Sequence, residues 1–342
     1  MFSWLSLLSS LKLTLVGMIL LGIGSALSYG NPVDTPVWVL VVPLGVLAIN
    51  LAAAILTNPR INRQPGLLVF HVCLFSTVML AGVGRLTHLD AHVEMALGQE
   101  FHRSSLEEVH QGPWHAGNLD KVAFTQGPFT VDYAAGLRRG LTHSEVLVPG
   151  MNGRLVKQDV GDDRPLVLER YRFYTTFNKG FSSILTWIPD QGQPVTGRVN
   201  MPAYPLYDYK QDNRWTPPGT NEEIKFWLQL DTGLTLEKDW VLDGRNATAV
   251  LVVTSKDKRV ELNKGEEAQL EHGILRYDDL TTWMGYRVFY DPTIQWLFFV
   301  TVAGVFGLNH FFWTKLNLKP WMEEGEEIAD DIAEKSIEEK SA

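Results

Sequence analysis

Histidines carry most of the chemistry open to this chain. His71 lies in Leu67-Leu-Val-Phe-His-Val-Cys-Leu-Phe75, five residues past Gly66 in an apolar run, about 8 Å into a helix. An imidazole at that depth must face protein, bond a partner or bind a metal. Two roles fit: a helix-packing hydrogen bond to a serine or carbonyl, or axial ligation of a haem iron. Neutral imidazole is a common iron ligand, and a membrane helix can present it to a flat apolar macrocycle. His310, near the end of the last apolar run, reaches a similar depth if that helix runs back toward the side from which His71's helix starts. It is then either a partner for His71 or an interfacial residue. Arg85, His88 and His92 follow at spacings of three and four and share a face if the helix continues. Together they could hold an anionic group such as a haem propionate, or His88 and His92 could ligate a metal. The plainer alternative is an amphipathic turn at the lipid headgroups.

Other chemistries are excluded by what is missing. The sequence has no P-loop, GxSxG or HExxH motif. Its one cysteine, Cys73, rules out a disulfide, a CxxC pair and a CxxCH haem attachment site. His102, His110 and His115 accompany Glu107 and Glu108 at spacings that match no zinc motif. The net charge of −9 is concentrated in Glu323–Ala342, where nine acidic and two basic residues contribute −7. No basic footprint for nucleic acid remains.

Four apolar runs must position these residues: Leu11–Tyr29, Pro36–Leu56, Gly66–Leu86 and Gln295–Trp313. Each is long enough to cross a bilayer as a helix. The first lacks an obvious small-residue cleavage site and reads as a retained anchor. Arg60 and Arg63 lie in the loop between the second and third runs, Lys12 marks the N-terminal flank of the first, and Lys315 and Lys319 follow the fourth. The positive-inside rule then places both termini in the cytoplasm and the long stretch between runs three and four outside it. Gly17, Gly22, Gly24, Ser25 and Ala26 allow close approach to helix one, and Asn50 adds a polar contact within helix two. The expected segments are 1–86 for three spans, 87–293 for the extracytoplasmic domain, 294–314 for the fourth span and 315–342 for an acidic cytoplasmic tail.

The middle segment consists of short β-rich runs separated by Gly, Pro, Asn and Asp. These are Val122–Tyr133, Pro165–Phe177, Ser182–Ile188, Ile224–Leu230, Ala247–Thr254 and Gly285–Tyr290. Phe173 and Phe177 fall on one strand face, and Ala249–Thr254 suits a strand buried on both faces. Trp187, Trp227, Trp240 and Trp283 read as core. Only Leu89–Leu97 suggests further helix. The fold class is a membrane protein, α + β, with four transmembrane helices and a large antiparallel sandwich or open barrel between helices three and four. The tail after Trp321 reads as solvated, or as a docking helix through Ile328, Ile332 and Ile337.

The arrangement resembles the ResB family, also called CcsB, of the system II cytochrome c biogenesis machinery. Leu47-Ala-Ile-Asn-Leu-Ala52 is similar to the family's Leu-x-x-Asn-Leu ending. His71 is followed by a Gly-containing apolar run and then Leu97-Gly-Gln-Glu100, which looks like the family's step into the soluble domain. Tyr286-Arg-Val-Phe-Tyr-Asp-Pro292 looks like its strand and Asp-Pro signature, and Asn309-His-Phe-Phe-Trp313 like its His-containing exit. Thr293 stands where the family usually has Gly, and the middle domain is short for the family.

This resemblance implies a subunit that helps carry haem across the membrane and present it to apocytochrome c. It implies a CcsA-like membrane partner with the tryptophan-rich haem segment, and separate thiol-reducing proteins. His71 sits where a family histidine helps ligate haem. The resemblance also implies a location in a bacterial cytoplasmic or thylakoid-type membrane. A second reading is a non-catalytic scaffold that docks an extracytoplasmic partner of another membrane complex. A third is a membrane-anchored sensor, disfavoured because the tail holds no recognisable output domain.

Overall fold

The computed structural model describes residues 2–31, 34–150, 152–256 and 258–317; the acidic tail lies outside them. It is an α + β protein with two compact units. One holds residues up to His88, Gly112–Trp114 and the described residues from Pro292; the other holds Leu89–Gln111 and His115–Asp291.

The helical unit contains α1 (Phe2–Leu8), α2 (Leu11–Gly30), α3 (Trp38–Thr57), α4 (Pro59–Asn62), α5 (Pro65–Thr87) and α6 (Ile294–Asn317). Four of these are long and apolar enough to cross a membrane: α2, α3, α5 and α6. Glycine decides how they pack, because without a hydrophobic force between helices in lipid, close van der Waals approach must hold them. Gly17 and Gly24 of α2 are buried; a Cβ on Gly17 would meet Leu47 at 2.8 Å, and one on Gly24 the Val39 carbonyl at 2.7 Å. Gly22 faces open space instead, so only two of the small residues expected in α2 form its seam. Asn50 accepts a 2.7 Å bond from Thr14 Oγ1 and donates to the carbonyls of Leu8 (2.6 Å) and Ser10 (3.1 Å). It thereby ties the α1–α2 turn to α3. α5 and α6 run antiparallel at near backbone contact: Gly66 abuts Gly307 and Phe311, Gly307 abuts Val69 and Phe70, and Gly304 abuts Cys73.

The C-terminus of α5 is closed from outside its own sequence. The last carbonyls of a helix lack intrahelical donors. Here the Trp114 N–H bonds Leu86 O at 2.8 Å and the Gly112 N–H bonds His88 O at 2.9 Å. A Cβ at Gly112 would stand 2.3 Å from Leu86 O. Gly112→Ala is therefore expected to detach this strap and destabilise the chain by about 2 kcal/mol or more, read as a lower unfolding temperature in detergent.

The β-unit has three sheets, every pairing antiparallel. Its strands are β1 (Leu89–Ala96), β2 (Leu106–Gln111), β3 (Thr125–Ala134), β4 (Arg138–Pro149), β5 (Leu155–Gly161), β6 (Leu166–Leu168), β7 (Tyr171–Pro189) and β8 (Val195–Asn200). They continue with β9 (Asp212–Trp215), β10 (Ile224–Asp231), β11 (Trp240–Asp243), β12 (Thr248–Ser255), β13 (Lys258–Leu262), β14 (Glu267–Leu270) and β15 (Gly273–Tyr290). The largest sheet runs β2-β1-β15-β7-β6, with β14 on β15 and β8 on β7; the others run β13-β12-β10-β9 and β11-β3-β4-β5. All three contribute to one apolar core.

Several expectations change. Leu89–Leu97 is not helical: Leu89–Ala96 is β1, whose Leu89, Ala91, Val93 and Met95 point into the core. The runs 165–177 and 182–188 belong largely to one 19-residue strand, β7. Phe173 is buried, whereas Phe177 is 68% exposed and carries the Arg139 guanidinium 4.3 Å above its ring. Between them β15 shifts register at Met284/Tyr286, which breaks the shared environment that strict alternation predicts. Trp187, Trp240 and Trp283 are core, but Trp227 is 42% exposed.

A buried polar triangle joins two sheets. Tyr286 of β15 donates to Gln126 Oε1 at 2.7 Å and lies 2.6 Å from Ser144 Oγ, while Gln126 Nε2 donates to Ser144 at 2.9 Å. Burial raises the Tyr286 hydroxyl's pKa far above normal, keeping it a neutral donor. Tyr286→Phe leaves Gln126 Oε1 unsatisfied and is expected to cost about 1–3 kcal/mol, measurable by denaturant unfolding.

Candidate functional site

His71 lies on α5, and its geometry follows from the helix. Nδ1 is 2.8 Å from the carbonyl of Leu67, one turn back. A carbonyl only accepts, so Nδ1 carries the proton and the lone pair of the neutral ring resides on Nε2. Nε2 has no hydrogen-bond partner among the described residues. The neighbouring Ser76 and Thr77 spend their hydroxyls on the carbonyls of Val72 and Cys73. The packing bond to a carbonyl and a ligating role are thus compatible, since the first orients the ring that the second needs.

The face of α5 that carries His71 is also defined. Gly66, Val69, Phe70 and Cys73 form the stripe against α6. His71 is five residues from Gly66, about 140° around the helix, and so faces away from α6. Gly82, which approaches Leu44 of α3, is eleven residues from His71, about three whole turns, so the imidazole is on the α3 side. His310 by contrast sets its Nδ1 against Gly66 on the α6 side of α5, 2.9 Å from where a Cβ would stand. Similar depth does not make these histidines a pair: they occupy different faces of α5 and different turns. The helix carrying His310 continues to Asn317 rather than ending near Trp313.

Arg85, His88 and His92 do not align on one helix. α5 ends at Thr87, His88 is its extended C-cap, and His92 lies in β1. Arg85 stays in the helical unit, where a terminal nitrogen reaches Ser28 Oγ of α2 at 3.4 Å; its Nε is buried without an acceptor. The His88 ring donates Nδ1–H to Arg85 O at 2.9 Å. His92 Nδ1 lies 3.3 Å from an oxygen of Glu108, with both side chains largely exposed, and its strand neighbour on β15 is Arg287. Arg85 and His88 are therefore close along one helix end, while His92 belongs to the β-unit.

The segments quoted for the resemblance have physical roles. In Tyr286–Pro292, Tyr286, Val288 and Tyr290 are buried, and Arg287 on the other face pairs with Asp90 of β1. Tyr290 packs against His115 with ring centroids 4.8 Å apart, and His115 Nε2 meets Tyr171 Oη at 2.7 Å. Thr293 accepts the backbone bond from Leu297 N–H at 2.9 Å. It thus occupies the N-cap of α6, a position where threonine is favoured. Its departure from glycine has a local explanation.

Sequence reasoning missed a second cluster. Glu222, Glu271 and His272 each offer a ligand atom within 4.8 Å of the others. Glu271 and His272 are adjacent, but Glu222 lies about 50 residues earlier and beside a different sheet, so no motif spacing links them and only the tertiary fold assembles the three.

No family model and no curated protein matches this chain. Among solved structures it is similar to "Cytochrome c Heme Lyase CcmF" at 12% identity and a TM-score of 0.26, over 89% of this chain and 35% of that one. The chain thus spans about a third of that protein's length, and the TM-score is too low to mark a shared fold.

Proposed function

We propose that this chain is a ResB-like subunit of a membrane cytochrome c haem-attachment complex. In this reading both termini are cytoplasmic and the β-unit is extracytoplasmic. Haem is cargo, shared with a CcsA-like partner and presented to apocytochrome c, whose thiols are reduced by other proteins. One observation carries the proposal: an imidazole on an apolar helix with Nδ1–H committed to Leu67 O and the Nε2 lone pair uncommitted. That is the donor state iron requires, with the second nitrogen fixing the tautomer. The buried, acceptor-less Nε of Arg85 supports a role beside His88 in holding an anionic group such as a propionate. The proposed set leaves out His310 and His92. Haem supplies the iron and the porphyrin to be attached; the chain's own residues hold and orient it.

The test is an absorption spectrum and pyridine haemochrome assay on full-length protein in mild detergent, alone and with a CcsA-like partner. Haem in the co-purified complex supports the proposal. A stable complex without haem favours the scaffold.

A further inference from the structure

The second cluster lies wholly within the β-unit and plays no part in the proposed haem chemistry. Glu222 lies two residues before β10 in the sheet β13-β12-β10-β9, and Lys256 lies in the β12–β13 turn of that sheet. Glu271 and His272 form the β14–β15 turn of the seven-stranded sheet. These turns meet at a cavity of about 680 Å³, lined by Pro189, Asp190, Glu222, Lys256 and His272 among others.

The burial of Glu222 points to a ligand. It is only 8% exposed. Its Oε1 takes the Ser255 hydroxyl, but Oε2 is buried with no hydrogen-bond donor. An ionised carboxylate oxygen in that state lacks compensation for its lost hydration. Nearby, the Lys256 ammonium contacts Glu271, and the His272 carbonyl is anchored by the Asp190 N–H at 3.1 Å. Two carboxylates and one imidazole make a mixed O/N donor set. Such a set suits zinc better than magnesium or calcium, and three protein ligands leave a fourth position open. The Ser255 bond would orient the Glu222 ligand from behind.

We propose that Glu222, Glu271 and His272 form a zinc-binding site that clips the β14–β15 turn to the start of β10. Lys256 holds the acidic pair in the metal-free state and competes with the ion. The clip joins turns of two different sheets, so its first consequence is stability of the β-unit.

The test uses tag-free, full-length protein in detergent, equilibrated with zinc sulfate and desalted. Zinc is counted by elemental analysis, and unfolding is followed by tryptophan fluorescence. The expected result is one zinc per chain and a raised unfolding temperature. His272→Ala and Glu222→Gln should both lose the retained zinc and the thermal shift. Lys256→Ala should tighten binding about tenfold or more, and His71→Ala should leave it unchanged, separating this site from the haem proposal. His272 is exposed, so its variant folds even if Glu222→Gln does not. Wild-type protein retaining no more zinc than His272→Ala would overturn the proposal, as would zinc loss in His71→Ala.

Discussion

Replacing His71 with alanine is expected to lower haem co-purification at least tenfold and to bring c-type cytochrome maturation to background. Haem loss alone could follow from a broken bundle, so the physical cost of the change matters. His71 is half-buried and bonds only its own helix through Leu67 O. That carbonyl already belongs to the α-helical ladder, so alanine, the best helix former, leaves α5 intact. Helical circular dichroism should not change. His71→Gln sharpens the test: it can keep a donor near Leu67 O but supplies no imidazole lone pair. His71→Gly with added imidazole should restore part of the haem spectrum. Wild-type holocytochrome levels in His71→Ala would remove this residue from the mechanism and favour a scaffold.

The second large effect concerns Lys179. It is 1% exposed on β7, and among the described residues its ammonium has only the Phe177 carbonyl at 3.5 Å and the Tyr133 ring at 5.9 Å. The nearby Asp162 is already engaged by Arg139 and Thr175 through Oδ1 and by the Thr142 N–H through Oδ2. Burial, and secondarily the Arg139 charge, lower the Lys179 pKa from 10.5 to about 8. Between those values the unfolded chain binds the proton more tightly, so stability rises with pH across that window. Below about pH 8 both states are protonated and the full desolvation penalty is present. At about 1.4 kcal/mol per pH unit the penalty is about 2–4 kcal/mol. Lys179→Met, similar in length and apolar, should stabilise the protein by about 2 kcal/mol at pH 7 and remove the rise. Parallel denaturant titrations of both proteins from pH 7 to 9.5 measure it; parallel pH profiles would refute the assignment.

The sequence disclosed the membrane-length helices to within four residues at every end, because length and apolarity alone define them. It also disclosed the strands whose β-branched runs lie between clear turn residues. It misread β1, where Leu89-Asp-Ala-His-Val-Glu-Met95 alternates apolar and polar side chains. Ala, Met, Leu and Glu are good helix formers, and the preceding helix invited continuation. The period-two burial against β15 outweighed propensity. His71 stood out by type and surroundings, but the face it occupies needed the contacts of Gly66, Cys73 and Gly82. The cluster of Glu222 with the adjacent Glu271 and His272 was invisible for a different reason: it forms where turns of two different sheets meet, which no local pattern encodes.

The position of β15 also governs the order in which the chain can be completed. It is the strand between β1 and β7, yet it begins at Gly273, about 180 residues after β1 starts. At roughly 5–20 residues per second of synthesis, β1 waits roughly 10–40 s and the inner edge of β7 roughly 4–20 s for their shared neighbour. During that interval two long unpaired edges are available to wrong partners. Ribosome stalling before residue 273 should thus yield aggregation-prone nascent chains, and release just after residue 290 should yield protected ones. Residues 291–342, α6 among them, then remain to be made.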